Sequence, residues 1–373
     1  MAEVEIGRGK SGRRAYGLHD VGLVPTRRTR DAADVDLSWQ VDAYQFDLPI
    51  LGAAMDSVMS PTTAGVLGAA GGLGVVDLEG VWSRHADPAP LLAELAELDD
   101  ADAVRARLRE LYDAPFDPDL LVERVGAMQA DGLTVAGAVS PRRVAELAPV
   151  LVNAELDLLV ILGSVISAEH VSSRTEPLNL KSFVRELQTP VLVGGCSSYQ
   201  HALHLMRTGA AGVLVGVDGG ATATADSVIG VASPMATAVA DVRAARMRHL
   251  DETGVYVHVI ANGGIRSGGD IAKAVACGAD AVMVGASFAA ASDAPGGSWH
   301  WARTSVHADL PQGDVVRLPS AGVDLSTVIS GPAIDGSGAT NIAGALRQAM
   351  ATTGYSTVKE LQKADLVVHG AGR

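Results

Sequence analysis

Eight short apolar runs, separated by stretches of helical pattern, punctuate the 373-residue chain. They are 49–54 (PILGAA), 74–77 (GVVD), 133–139 (LTVAGAV), 157–162 (DLLVIL), 191–194 (VLVG), 212–217 (GVLVGV), 258–262 (HVIAN) and 281–285 (AVMVG). Runs this short, rich in Val, Ile, Leu and Ala, are how strands buried on both faces of a parallel sheet read. Most successive starts lie roughly 20 to 35 residues apart, the length that one strand, one crossover helix and two loops require. Alternating β and α units in this number predict an α/β fold, a closed (β/α)8 TIM barrel spanning residues 1–373 as one domain.

Two stretches break the rhythm. The widest gap, 78–132, holds two helical patterns (89–98 and 101–112) where one crossover is usual, so it reads as a helical insertion after strand 2. Its acidic run, Glu97, Asp99, Asp100 and Asp102, reads as a solvated helix junction. The second, 292–340, is rich in Gly, Pro and Ser and follows strand 8; a long loop on that face of a barrel is often a lid or part of the pocket. The chain then closes with a helix over 341–353 stopped by Gly354, and a short one over 358–365. Residues 1–35 form an N-terminal arm. It clusters Lys10, Arg13, Arg14, Arg27, Arg28 and Arg30, which read as a solvated face.

Composition removes several classes of function. A net charge of -14 with only 4% aromatic residues disfavours nucleic acid, which needs clustered cations and stacking rings. No run approaches the 18 unbroken apolar residues of a membrane span, and the first residues lack a signal-peptide core, so no membrane partner and a cytoplasmic location are expected. Cys196 and Cys277 are too few for a disulfide framework and have no zinc-ligand spacing. No HExxH, no Gly-x-Ser-x-Gly elbow and no GxGxxG after the first strand is present, and no metal site is expected.

Barrel sites form where strands end, so the residues just after each run carry the functional signal. After strand 6 the chain reads Gly216-Val-Asp-Gly219-Gly220-Ala221-Thr222-Ala223; after strand 7, Asn262-Gly263-Gly264-Ile-Arg-Ser-Gly268-Gly269-Asp270; after strand 8, Gly285-Ala286-Ser287. Glycine admits positive φ and close backbone approach, so neighbouring N–H groups can converge on an anion, and a helix starting at Gly268 or Gly269 adds its positive end. One such loop would serve only its own turn. Three on adjacent strands predict a phosphate pocket.

Ala53-Ala54-Met55-Asp56-Ser57-Val58-Met59, Gly71-Gly72-Leu73-Gly74, Asn262-Gly-Gly-Ile-Arg and Gly278-Ala-Asp-Ala-Val-Met-Val-Gly285 together resemble the IMP dehydrogenase and GMP reductase family. So do the opening Leu18-His-Asp-Val-Gly-Leu-Val-Pro25 and the closing Gly344-Ala-Leu-Arg-Gln-Ala-Met350. The 78–132 insertion is too short for the pair of CBS domains typical of IMP dehydrogenases, so the chain looks like the short IMP dehydrogenase-related branch. The resemblance implies a purine-nucleotide ligand, an NAD(P) cofactor, a homotetramer, and a cysteine thiolate after strand 6 that attacks the purine. It places Ala223 at the nucleophile position, and a methyl group cannot form the adduct.

Other departures follow the same direction. The ribose-binding Asp corresponds to Asn262, the phosphate-binding serines to Ala221 and Ala286, and the acidic residue that seats the cofactor to about Leu162. The family's Arg-Tyr flap has no recognisable counterpart between Ser298 and Gly331, although Trp299, His300, Trp301 and Arg303 lie where the base-binding loop begins. The expected ligand-binding set is therefore Met55, Gly220, Ala221, Asn262, Gly263, Gly264, Gly285, Ala286, His300 and Arg303. Cys196 and Cys277 read as small buried hydrophobes, Thr222 and Thr224 as loop polarity without a base, and His170 as a surface histidine. Three functions stay open: nucleotide binding without redox chemistry, an oxidoreductase of altered mechanism using NAD(P), or a structural partner of an active family member.

Overall fold

The computed structural model describes residues 3–171, 173, 178–217, 219–303, 306 and 312–369. Eight parallel strands close into a barrel in strict chain order: β1 (Ile50–Gly52), β2 (Leu73–Asp77), β3 (Ala136–Val139), β4 (Leu158–Leu162), β5 (Val191–Cys196), β6 (Gly212–Val215), β7 (His258–Asn262) and β8 (Ala281–Val284). The barrel closes where β8 pairs with β1, Val282 opposite Ile50 and Val284 opposite Gly52. Each strand falls within one of the apolar runs or overlaps it, as expected for segments with no solvated face. The largest boundary difference is at β3, which starts at Ala136 because Leu133 packs outward against Gly65 and Gly68 of helix α1 (Pro61–Ala69). At β5 the strand runs on to Cys196.

The insertion holds α2 (Ala89–Ala96) and α3 (Ala101–Asp113), as read from the pattern, and then α4 (Pro118–Ala130). The two-helix reading missed α4, although Asp117 caps it and Pro118 opens it, a recognised start signal. Around the acidic junction Asp100 caps α3 through the Ala103 N–H, and Asp99, largely exposed, pairs with Arg317. After β8 the chain forms an antiparallel pair, β9 (Trp299–Trp301) and β10 (Val315–Arg317). This pair packs on α2 and α3, so Val81, Leu92, Leu95, Val104, Leu108, Leu111, Trp299, Trp301 and Val315 make a second, smaller core beside the barrel. The insertion and the long loop thus fold as one unit.

At the opposite end a hairpin, Trp39–Val41 with Tyr44–Phe46, covers the strand starts; Trp39 stacks on Phe46 at 5.4 Å and meets His258 edge-on at 6.3 Å. Leu366–Val368 pairs with Val21–Leu23, tying the two ends of the chain together. The closing helix runs Ile342–Thr353, capped by Asn341 and stopped by Gly354, and the last helix is shorter than its pattern, Val358–Leu361. In the basic arm, Arg13 pairs with Asp241 and Arg30 donates to the Gly354 carbonyl. Among the described residues no helix is long and apolar enough to cross a membrane.

Candidate functional site

The loops after β5, β6 and β7 lie against one another backbone to backbone. Gly216 has φ +147, and a Cβ there would collide with the Asn262 carbonyl oxygen. A Cβ on Gly263 (φ +121) would sit 2.9 Å from Gly219 Cα. Only glycine satisfies both the torsion and the approach. Gly264 also has positive φ, at +71, whereas Gly220 and Gly285 do not. The glycines after strands 6 and 7 therefore serve the crossing of two loops as well as any ligand.

The helix after β7, α5 (Gly268–Cys277), starts at Gly268 as expected, but its first turn is already engaged. Ser267 caps the Asp270 N–H, and Asp270 accepts from the Arg266 N–H and the Ser267 hydroxyl. Gly268 itself lies against the closing helix, where a Cβ would collide with the Ile342 carbonyl. The positive end of α5 is satisfied by a carboxylate of its own.

These loops enclose a cavity of about 130 Å³ at the strand C-termini, lined by Ala53, Ala54, Met55, Leu162, Gly163, Ser164, Gly216, Gly219, Gly220, Thr222, Ala223, Thr224, Ala225, Asn262, Gly263, Met283, Ala302 and Arg303. Of the expected residues it brings together Met55, Gly220, Ala223, Asn262, Gly263 and Arg303; Ala221, Gly264, Gly285, Ala286 and His300 lie outside its lining. Ala221 and Gly264 are exposed, Gly285 and Ala286 half-buried. Asp218 and residues 304–305 and 307–311 lie outside the described residues. A larger cleft, about 210 Å³, opens at the other end between Gln45–Asp47, Gly71–Gly72 and residues 132–135. It lies away from the strand C-termini and its lining holds no His, Cys, Lys or Arg, so the smaller cavity is the better site.

Arg303 carries the lone charge among the described residues of the lining, and its guanidinium turns into the protein. Nε donates to Asp77 Oδ1 at 2.8 Å, Nη2 to Glu79 Oε1 at 2.8 Å, and Nη1 to the Leu162 carbonyl at 3.0 Å. Its side chain is 4% exposed. Asp77 ends β2 and Leu162 ends β4, so Arg303 bridges the β2–β4 side of the face. Sequence reading placed Arg303 at the site but missed Asp77 and Glu79, which lie more than 220 positions away.

His300 is 2% exposed. Its Nδ1 lies 3.0 Å from the Ser57 hydroxyl, and its ring edge faces Gly285, where a Cβ would stand 3.9 Å from Cε1. Burial pushes its pKa down to about 4, so the ring is neutral at physiological pH. Cys196 is fully buried against the Leu214 carbonyl, and burial pushes its thiol up to about 12. Cys277 ends α5, also buried, its thiol pushed up to about 11. Neither can supply a thiolate near neutral pH. His170 is exposed, Thr222 buried and Thr224 half-buried. Among the described residues no group of His, Cys, Asp and Glu could hold a metal ion.

Residues 15–371 match the model of the IMP dehydrogenase / GMP reductase domain. A protein of Mycolicibacterium smegmatis called an uncharacterized oxidoreductase is 47% identical over 98% of this chain and 99% of its own length. An inosine-5'-monophosphate dehydrogenase of Haemophilus influenzae is 31% identical over 71% of this chain and 55% of its own. The crystal structure of an IMP dehydrogenase/GMP reductase-like protein from Corynebacterium glutamicum superposes with a TM-score of 0.91 at 44% identity, over 98% of both chains.

Proposed function

Since the chain belongs to the IMP dehydrogenase / GMP reductase family, we propose that its C-terminal face binds a purine nucleotide, or a related phosphate ligand, without the family's thiolate chemistry. One observation carries this reading: Ala223 stands in the cavity wall while both cysteines of the chain are buried with their thiols held protonated. The methyls of Ala53, Ala54, Ala223 and Ala302 with Met55 and Met283 suit a flat ring system. A cavity of about 130 Å³, in the size range of a site that takes a benzene ring, holds one ring of the base, and the rest of the base lies toward the mouth. The phosphate then lies at the mouth, over the exposed Gly219, Gly220 and Gly264, and Asn262 faces the ribose as an amide.

The residues do not fit a dinucleotide beside that base. Leu162 presents an apolar side chain and a carbonyl already taken by Arg303, and the described lining holds no carboxylate to receive ribose hydroxyls. The test is to incubate the protein with IMP plus NAD, and with GMP plus NADPH, and follow nicotinamide absorbance. Turnover above background sinks the binding reading in favour of an oxidoreductase of altered mechanism; nucleotide binding by calorimetry without turnover supports it. Ala223→Cys should form detectable adduct with IMP, yet not turn over efficiently, because Ala221, Leu162 and Ala286 also lack the expected polar groups.

A second reading, assembly into a homotetramer or with an active family member, is favoured by the N-terminal hairpin Glu3–Gly7 with Lys10–Arg13. It leaves Val4 and Ile6 50% and 73% exposed, and a lone two-stranded hairpin is marginal in water. Light scattering of the protein lacking residues 1–14 tests this: an unchanged mass would discard the hairpin as the contact.

A further inference from the structure

Asp56, in the loop after β1, is 1% exposed and lies where four pieces of the structure meet. Its Oδ2 accepts from the Val81 N–H at 2.8 Å and from the Tyr112 hydroxyl of α3 at 2.5 Å. Tyr112 in turn accepts from Trp301 Nε1 of β9 at 3.1 Å. Among the described residues the other carboxylate oxygen, Oδ1, is buried without a partner. Oδ1 is sealed by the Gly80 backbone, where a Cβ would collide with the carboxylate.

The charges around it make ionisation costly. Arg303 faces Asp77 and Glu79 together, so one guanidinium stands against two carboxylates, and this group is already net negative before Asp56 is considered. Asp77 and Glu79 have donors: Arg303 for both, the Glu79 N–H for Asp77, and the Ser140 N–H and hydroxyl for Glu79. Asp56 has none on Oδ1. Among the described residues the remaining titratable neighbours offer no compensation: His300 beside Ser57 is neutral, His85 is turned to the Leu111 carbonyl, and Arg84 to the Glu79 and Ala114 carbonyls. A buried carboxylate with an orphaned oxygen beside a net negative group is stabilised by taking a proton.

We propose that Asp56 is a proton switch that controls how firmly the insertion helices α2 and α3, with β9, are docked on the ligand face: the protonated form docks them, and ionisation loosens them. The arrangement agrees with the direction in which Asp56 is shifted. Burial, then Asp77, push it up to about 7, with Tyr112, Val81 and Arg303 opposing. An acid whose docked pKa is raised contributes its full stabilisation below its ordinary value near 3.8 and has lost it once pH passes about 7. Loosening reaches the cavity because Ala302 and Arg303, both in its lining, are the two residues that follow β9.

Hydrogen–deuterium exchange on the intact protein at about pH 5 and about pH 8, corrected for intrinsic rates, reads the switch. The amides of Ala101–Asp113 should open more readily at the higher pH by a factor on the order of ten or more, while those of Val191–Cys196 change little. Asp56→Asn should flatten the response of α3. If that variant does not fold, Tyr112→Phe removes a donor to the carboxylate and should carry the transition to higher pH. An α3 response no larger than that of β5, or one that persists unchanged in Asp56→Asn, overturns the proposal.

Discussion

Replacing Arg303 by Met removes one guanidinium and leaves Asp77 and Glu79, 3% and 15% exposed, facing each other without a cation. Breaking a buried ion pair by deleting one partner costs about 3–5 kcal/mol, because the orphaned charge stays in a low-dielectric site. With an unfolding entropy of ~2.1 cal/mol/K per residue, a chain this long should lose roughly 4–6 °C in Tm. Urea denaturation followed by tryptophan fluorescence suits the case, since Trp299 and Trp301 are buried in the adjoining core. The loss should be pH-dependent. Burial already holds the Asp77 carboxyl above its ordinary value with Arg303 opposing; without Arg303 that rise grows, so acidification from about pH 7 to about pH 5 should restore part of the deficit. Adding Asp77→Asn and Glu79→Gln should restore most of it at neutral pH, as neutral replacements of a buried ion group often do. A deficit under about 1 kcal/mol at neutral pH, or one indifferent to acid and to the compensating changes, would refute the view that Arg303 is held by these acids.

Gly216→Ala should cost about 2 kcal/mol or more, through both its φ of +147 and the collision with Asn262; a denaturation midpoint matching wild type would contradict the crossing described for this loop. Cys196 and Cys277 should resist a thiol reagent in the native protein at about pH 8 and react together on unfolding, and rapid labelling of either without unfolding would count against its burial. His300→Gln should alter the pH profile in a defined sense. The folded-state pKa of His300 lies below its ordinary value, so its contribution is full above about 6.5 and is lost as pH falls through about 4. The variant should therefore lose less stability than wild type on acidification across that window, measured as paired urea midpoints; parallel profiles would show that the imidazole is not held neutral.

The barrel was legible because fully buried parallel strands need no long-range information to be recognised: LLVIL at β4 and HVIAN at β7 announce themselves locally. The glycine loops were legible for the same reason. What was not legible depends on pairs distant in sequence. Nothing near Arg303 signals that Asp77 and Glu79 receive it, and nothing near Asp56 signals Tyr112, which arrives on an insertion helix. Helix α4 is a different case: its Asp117-Pro118 start is a local signal that needs no distant partner to be read, although the pattern of the insertion reads as two helices.

The crossing of Gly216 under Asn262 and of Gly219 against Gly263 makes the shape of this face a property of main chain alone. Such a chassis leaves the chemistry mounted on it to the side chains, of which Ala223 and Ala302 line the cavity with methyl groups alone. A motif search that keys on these glycines detects the course of the loops, whatever side chains they carry. The same indifference makes the face a ready mount for grafted chemistry, with Ala53, Ala223 and Ala302 as blank positions in a cavity whose walls are already in place.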